Sequence, residues 1–506
     1  MKVMVPTQGN VIDFETNDFT KYYEDLTNIH IDWLVIPSGE RETKVNLALA
    51  SKDLPDIFTS CKISLSQQMV YGQSGAFLPL NDYIDKYSSI LKEGFNKIVG
   101  LKEAITLPDG NIYALPYVDD NPHTSAQQKM WINKEWLEAL NLKLPTTTEE
   151  FYEVLKAFKE RDPNGNGKPD EIPLTACVSS SGLDNSSIIG FIMDSFVFND
   201  LNNNQLYVDN GVIKASYVQD GYREGLRYLN RLYKEGLIAP TALTQSSDEL
   251  KAQGENGGDV ILGAFPGLVP TAVNIGQGGR WTKYVAVEPL TGPDGTKQTI
   301  VNPYAGMDFT RTVITTACKY PAAAFRWVAE QYDKDMNQRA LFGVEGVNWR
   351  WAEKGEVSRD GQQADVVIFI DGVSWTDQQN YCWRSIGVRL EKSSFPENMY
   401  KQGLQGDINT NIEFLLYKET IEKYVPYGAP ASMVLPPLVF DEVQSATIGD
   451  YQTVIKSYVN EMTVRFINGD ISLDTGWDSY VKELYNKGLD KYLEVYQKAY
   501  DQKYKR

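Results

Sequence analysis

The chain has 506 residues, 42% of them hydrophobic and 23% charged, with a formal net charge of −18. That length exceeds what one simple core supports, so two or more domains are expected. The acidic balance argues against nucleic acid, whose binding relies on phosphate neutralisation by Lys and Arg, and disfavours a polyanionic ligand unless a local basic pocket overrides the global field.

Residues 3–5, inside KVMVP, read as a buried strand, so the chain opens directly on structure, as it would once an export leader had been removed. Residues 17–27 read as a helix, with Phe19, Tyr22, Tyr23 and Leu26 at helical spacing. The next strand covers 30–36, with Ile31, Trp33 and Val35 on one face. A helix over 44–51 and a short strand over 56–58 complete a βαβαβ run, which implies a parallel sheet covered by helices. Ligands of such sheets bind beyond the carboxyl ends of the strands. Three loops are expected there, at 7–10, 37–40 and 59–62. Gly110-Asn111 reads as the turn of a hairpin-like 105–117. A strand over 130–133 and a helix over 134–140 follow. Pro145 then leads into a helix with a capping box, Thr147 as N-cap and Glu150 three residues on. Phe151, Val154, Leu155 and Phe158 form its apolar stripe.

That helix runs into a loop at 162–171 with a chemical signature. Asp162, Asn164 and Asn166 place side-chain oxygens at positions 1, 3 and 5, and Gly167 stands at position 6, where an EF-hand loop turns sharply. A hard cation takes roughly 6–8 oxygen ligands, and alternate residues of a tight loop supply them. Lys168 offers only its carbonyl. Position 12 is Pro173 rather than a bidentate Glu, and the acids come early, at Asp170 and Glu171. The reading is a structural calcium loop that is not an EF-hand, clamping a helix end to a strand at 172–174. A plain Asn/Gly/Pro turn is the alternative, but such a turn has no need of oxygen donors at three alternate positions. Further helices are expected at 222–235, 321–333 and within 443–468. A last helical region covers 477–503, with Tyr480, Val481, Leu484, Tyr485, Leu489, Tyr492, Leu493 and Tyr496 as its apolar positions.

Most catalytic patterns fail. Gly276-Gln277-Gly278-Gly279-Arg280 has a phosphate loop's flexibility but runs into a strand-like 281–285 instead of opening a helix. No GxSxG occurs, and His30 and His123 are the only histidines. Cys61, Cys177, Cys318 and Cys382 are scattered without a CxxC pair, so buried thiols are expected rather than zinc or disulfides. The most apolar short run, 188–193, is far below the ~18–20 residues of a membrane span. Glycosidase carboxylates come from distant segments. Asp119, Asp120, Glu345 and Asp371 are conceivable, though each is ordinarily a surface acid. The aromatics Trp281, Trp349, Trp351, Trp375, Tyr381 and Trp383 stand in loop-like contexts among polar neighbours. Sugars present apolar C–H faces to aromatic planes and hydroxyls to polar partners, so one or two of these residues are expected at a binding face.

Segments across most of the chain carry a resemblance: LALASKDLPDI at 47–57, LPLNDYI at 78–84, WINKEWL at 131–137, the cap at 145–151, YKEGL at 233–237, GPDG at 292–295 and FGVEGVNW at 342–349. In order and spacing the chain resembles the extracellular solute-binding proteins of bacterial ABC importers, of the family-1 oligosaccharide-binding type. It is most similar to the large calcium-containing, lipoprotein-like members, which include the alginate oligosaccharide-binding proteins. The resemblance implies an α/β fold of two discontinuous lobes with a hinge and an interlobe ligand cleft. One lobe would comprise residues 1–122 and about 298–350. The other would comprise 123–297 and about 351–506 and carry the loop.

The same resemblance implies a Ca2+ ion held by Asp162, Asn164, Asn166, the Lys168 carbonyl, Asp170 and Glu171. It implies non-catalytic capture of an oligosaccharide by a monomer and delivery to a permease at the outer face of the membrane or in the periplasm. Family members often carry a lipid anchor on an N-terminal Cys; this sequence has none, so anchoring would belong to a precursor. Trp281, Trp383, Trp375, Trp349 and Tyr117 are the candidate stacking or cleft-wall residues. Arg384, Asp119 and Glu345 are the candidate hydroxyl partners. A glycoside hydrolase or lyase is the alternative, and a peptide or lipid receptor of the same fold a third reading. Low basicity favours neutral sugars over uronates, a preference that a single cleft Arg would reverse.

Overall fold

The computed structural model describes residues 1–119, 121–178, 186–275, 278–369, 378–384, 386–392, 401–403 and 411–505. Its strands begin with β1 (Lys2–Pro6), β2 (Asp32–Ile36), β3 (Ile57–Thr59) and β4 (Ala114–Asp119). Next come β5 (Met130–Asn133), β6 (Ile172–Leu174), β7 (Leu206–Asp209), β8 (Val212–Ala215), β9 (Leu262–Pro266) and β10 (Tyr284–Val287). Last are β11 (Met307–Ile314), β12 (Trp349–Trp351), β13 (Val366–Ile368), β14 (Arg389–Glu391) and β15 (Gln402–Gly403).

The first sheet has the order β14-β4-β11-β3-β1-β2. β1, β2 and β3 are mutually parallel, β14 is parallel to β4, and β11 runs against both β3 and β4. Five strands therefore share one direction, and β1 lies between the two strands that follow it. Alternation along the strands fills a core on each face. Val3, Val5, Ile57, Leu115, Val118 and Ile314 pack on one side; Met4, Phe58, Ala114 and Val313 pack on the other.

The second sheet has the order β10-β5-β9-β6, with β5 antiparallel to both neighbours and β6 parallel to β9. The helix Thr148–Glu160 covers it with Phe151, Val154, Leu155 and Phe158, all buried in the largest core. Three late helices, Glu442–Asn468, Leu473–Asn486 and Leu489–Tyr504, complete that core.

The crossings orient the two sheets. The chain leaves the carboxyl end of β4 at Asp119 and enters the amino end of β5 at Met130. It returns from the carboxyl end of β10 at Val287 to the amino end of β11 at Met307. Because β11 is antiparallel, both crossings meet the first sheet at the carboxyl edge of its parallel strands. Because β5 is antiparallel, they meet the second sheet at the carboxyl edge of β6, β9 and β10. The two carboxyl edges thus face each other across the crossings, at the ends where α/β sheets bind ligands.

Several expected elements change. Residues 105–117 are not a hairpin: a helix, Leu101–Ile105, ends before the Gly110 turn, and β4 pairs with β11 and β14 instead of folding back. Val35 is exposed because β2 is the sheet's edge strand. A 3-10 turn, Arg280–Lys283, precedes β10 where a strand from 281 was expected. Glu150 reaches back to Thr146 N and Oγ1, both at 2.8 Å, one residue before the N-cap Thr147, which still accepts from Glu150 N. The final helical region breaks at Gly488, whose φ of +91° favours glycine. All four cysteines are buried thiols.

The boundary drawn near residue 350 does not follow the cores. Trp383, Ile386, Val388 and Leu390 pack in the first-sheet core, because β14 adds an edge to that sheet. Trp349 and Val366 belong to a small separate core beneath the sheet β12-β13-β15. Among the described residues no helix is long and apolar enough to cross a membrane.

Candidate ligand cleft and candidate cation loop

At the carboxyl edge of the first sheet, register sets charged side chains in adjacent rows. Arg389 pairs with Tyr117 and Glu391 with Asp119 across β14 and β4, while Asp308 of β11 lies opposite Tyr117 from the other side. β11 bulges between Asp308 and Thr312, a device that re-aims side chains at sheet ends. The bulge carries Arg311 over the Tyr117 ring, 4.1 Å from its centroid. Arg311 Nη1 donates to Ser60 Oγ at 3.0 Å, and its Nε lies 3.3 Å from Asp308 Oδ2. Arg389 and Glu391 form a buried ion pair, and Gln338 Nε2 donates to Glu391 Oε1 at 3.2 Å.

Electrostatics tie these groups together. Burial, then the Asp119 charge, pushes the Tyr117 phenol up to about 12, with Arg389 and Arg311 opposing. Burial likewise raises Glu391 against the pull of Arg389. From the far side comes Glu413, at the start of the helix Ile412–Lys423, whose Leu416 belongs to the second-sheet core. Glu413 is open to water yet walled by protein; that enclosure raises its carboxyl, Arg359 lowers it, and Asp119 raises it. Arg359 acts on both Glu391 and Glu413 and donates to Asn121 Oδ1 at 3.4 Å. Beside the outgoing crossing, Lys129 is wholly buried, donating to His123 O at 2.8 Å and to Ala126 O. Burial brings its ammonium down to about 7.

Of the residues singled out in sequence, Tyr117 and Asp119 reach this edge. Trp383 is 1% exposed: its Nε1 donates to Thr20 Oγ1 at 2.7 Å and its ring meets Phe19 edge-on at 4.7 Å. Trp281 is 3% exposed and precedes β10, at the amino edge of its sheet and away from the crossings. Trp349 is fully buried, with Nε1 donating to Gly343 O at 3.0 Å. These three indoles are core residues and not stacking platforms, since each ring is enclosed by neighbours. Arg384 is also buried, with Nη2 on Tyr381 Oη at 2.9 Å, so it does not reach a cleft. Glu345 pairs with Arg339 at 2.7 Å beside the small sheet. Trp375, Asp120 and Asp371 lie outside the described residues. Sequence reasoning missed Asp308, Arg311, Arg359, Arg389, Glu391 and Glu413. The one usable signal was Arg-Leu-Glu at 389–391, where charges of opposite sign flank an apolar residue at strand spacing.

The loop at 162–171 folds as a closed turn. Asp162 accepts from Asn166 N at 3.2 Å and Gly167 N at 2.9 Å, and Asn166 Oδ1 accepts from Lys168 N at 2.8 Å. Gly167 has φ +73°, as the sharp turn requires. Asn164 and Asn166 direct their amide nitrogens at Asp170, and Asn166 also donates to Asp259, just before β9. Among the described residues no three His, Cys, Asp or Glu side chains gather closely enough to hold a metal ion. The donor chemistry nonetheless fits a hard cation. Glu171 Oε1 is buried without a hydrogen-bond partner, and its carboxyl is raised by burial, then by Asp162 and Asp170. Rotating the two Asn amides would turn oxygens toward the same space. The loop precedes β6 and touches the residue run into β9, so it sits at the amino edge of the second sheet, opposite the cleft.

The family profile described as "Bacterial extracellular solute-binding protein" matches residues 9–338, more than half of the chain. The chain belongs to this family. Among solute-binding relatives, it is 28% identical over 497 residues to the fructooligosaccharide ABC transporter substrate-binding protein FusA of Streptococcus pneumoniae, covering 95% of this chain and 86% of FusA. It is 25% identical to the polygalacturonan/rhamnogalacturonan-binding protein YtcQ of Bacillus subtilis, covering 95% and 88%. It is 26% identical to the lipoprotein LipO of the same organism, covering 69% and 67%. The solved structure of FusA with kestose superposes with a TM-score of 0.75 at 26% identity, covering 99% and 98% of the two chains. An EF-hand mutant of FusA with fructo-nystose superposes at 0.74, with the same identity and coverage. The two-lobed fold expected from sequence is the fold of this solute-binding protein.

Proposed function

We propose that this protein captures an oligosaccharide between its two sheets and presents it to the permease of an ABC importer, without covalent chemistry. The observation that carries this reading is the pair of facing carboxyl edges, with Tyr117, Arg311, Asp119 and Arg389 on one side and Glu413 on the other. One lobe comprises residues 1–119, 307–342, 383–384 and 386–391; the other comprises 130–178, 186–275, 278–287 and 412–505. The crossings at 121–129 and 288–306 serve as hinge segments, and closure around the ligand creates the form the permease reads. A hydrolase gains no support from the relatives, which are solute-binding proteins.

The loop at 162–171 holds a structural Ca2+ through Asp162, Asn164, Asn166, the Lys168 carbonyl, Asp170 and Glu171. The partnerless Glu171 oxygen and the existence of an EF-hand mutant of FusA support this. The protein works as a monomer tethered outside the cell by a lipid on its precursor, a reading supported by its likeness to a lipoprotein. A thermal-shift screen against a glycan panel tests the function: a ligand at ~100 times its dissociation constant adds about 2.7 kcal/mol. Small-angle scattering should then show the same glycan contracting the molecule. A panel in which no glycan moves the melting temperature refutes the reading.

A further inference from the structure

The charge inventory of the cleft edge specifies the chemistry of its ligand. Among the described residues three arginines stand there, and all three are committed. Arg311 is held by Asp308 and Ser60 and lies over Tyr117. Arg389 is paired with Glu391. The Arg359 charge acts on Glu391 and Glu413, and the side chain donates to Asn121. Nearby, the Lys129 ammonium is buried against two backbone carbonyls, and Lys392 Nζ donates to Ala305 O at 3.4 Å.

The acids are differently placed. Asp308 and Glu391 are used by the arginines, but the carboxylates of Asp119 and Glu413 accept no hydrogen bond among the described residues. They come from opposite lobes and are close enough to repel each other. One donor is also orphaned: Arg389 is 4% exposed, and its Nε has no hydrogen-bond partner. Two open carboxylate acceptors beside a buried open donor suit sugar hydroxyls, which donate and accept at once. A uronate carboxylate would need a cation not already compensated.

Resting on the capture reading, we infer that the cleft takes an uncharged oligosaccharide, with Asp119 and Glu413 as hydroxyl acceptors that clamp it from the two lobes, and that it rejects uronate chains. The clamp also relieves the repulsion between the two acids by placing hydroxyl donors between them.

The test is calorimetry on the full chain with kestose, neutral trisaccharides of glucose, galactose and mannose, and trigalacturonate. A neutral sugar should bind and trigalacturonate should not. Asp119→Asn and Glu413→Gln should each weaken the neutral sugar roughly 10-fold or more, as loss of a charge-assisted hydrogen bond does. Their melting temperatures should hold or rise, because like charges are removed. Tight binding of trigalacturonate, or unchanged neutral-sugar affinity in both variants, overturns the inference while leaving sugar capture intact. Failure of every neutral and acidic sugar to bind overturns the capture reading and this inference with it.

Discussion

Trp383 looks from sequence like a sugar platform and sits in the structure as a keystone of the first core. Replacing it with Ala separates the two roles. The ring meets Phe19 and Trp33 edge-on at 4.7 and 5.5 Å, and Nε1 donates to Thr20 at 2.7 Å. Removing a buried Trp or Phe side chain costs about 3–5 kcal/mol, and the aromatic pairs and orphaned Thr20 hydroxyl place this site toward the upper end. At about 2–4 °C per kcal/mol for a lobe of this size, the first-lobe transition should fall by roughly 10 °C or more. Differential scanning calorimetry reads that shift, and calorimetric titration at a temperature where the variant is folded reads affinity, which should stay within a factor of about 3. A variant that keeps its melting temperature and loses sugar binding would show that Trp383 is a contact residue and refute its core role.

Three further outcomes follow from the same geometry. Chelation should lower the melting temperature without abolishing sugar binding, because the loop at 162–171 lies at the sheet edge opposite the cleft; loss of binding by folded, calcium-free protein would contradict a purely structural ion. Lys129 should make stability rise with pH between about 7 and 10, since its folded value of about 7 lies below the ordinary 10.5 and the unfolded chain alone holds the proton in that window. Lys129→Met should flatten that rise in urea titrations at pH 7 and 9, and an unchanged slope would refute the assignment. Gly306 has φ +74°, and a Cβ there would lie 2.0 Å from Asp119 O. Gly306→Ala should therefore cost more than about 2 kcal/mol and displace the returning crossing, read as a lower melting temperature and weaker sugar binding together; a variant matching the parent in both would remove Gly306 from the hinge argument.

The legible parts of the chain were those where local pattern and tertiary role coincide. β1, the helix Thr148–Glu160 with its Thr147 cap, and β5 are written in apolar periodicity and capping chemistry. The loop at 162–171 is written in alternating oxygen donors. The cleft was harder, because an indole suits a core and a sugar platform equally, and only packing decides. Trp281, Trp349 and Trp383 all went to cores. Asp308, Arg311, Arg389 and Glu391 at the edge lie on β11 and β14, where Met-Asp-Phe-Thr-Arg and Arg-Leu-Glu read as solvated chain until opposite charges pair across them.

The interleaving of the lobes also governs the order in which this chain can fold as it is made. The first sheet lacks its β14 edge until residue 391 has been synthesised, and the second core lacks its closing helices until about residue 496. Neither lobe can finish early, so most of the chain leaves the ribosome before any stable unit forms.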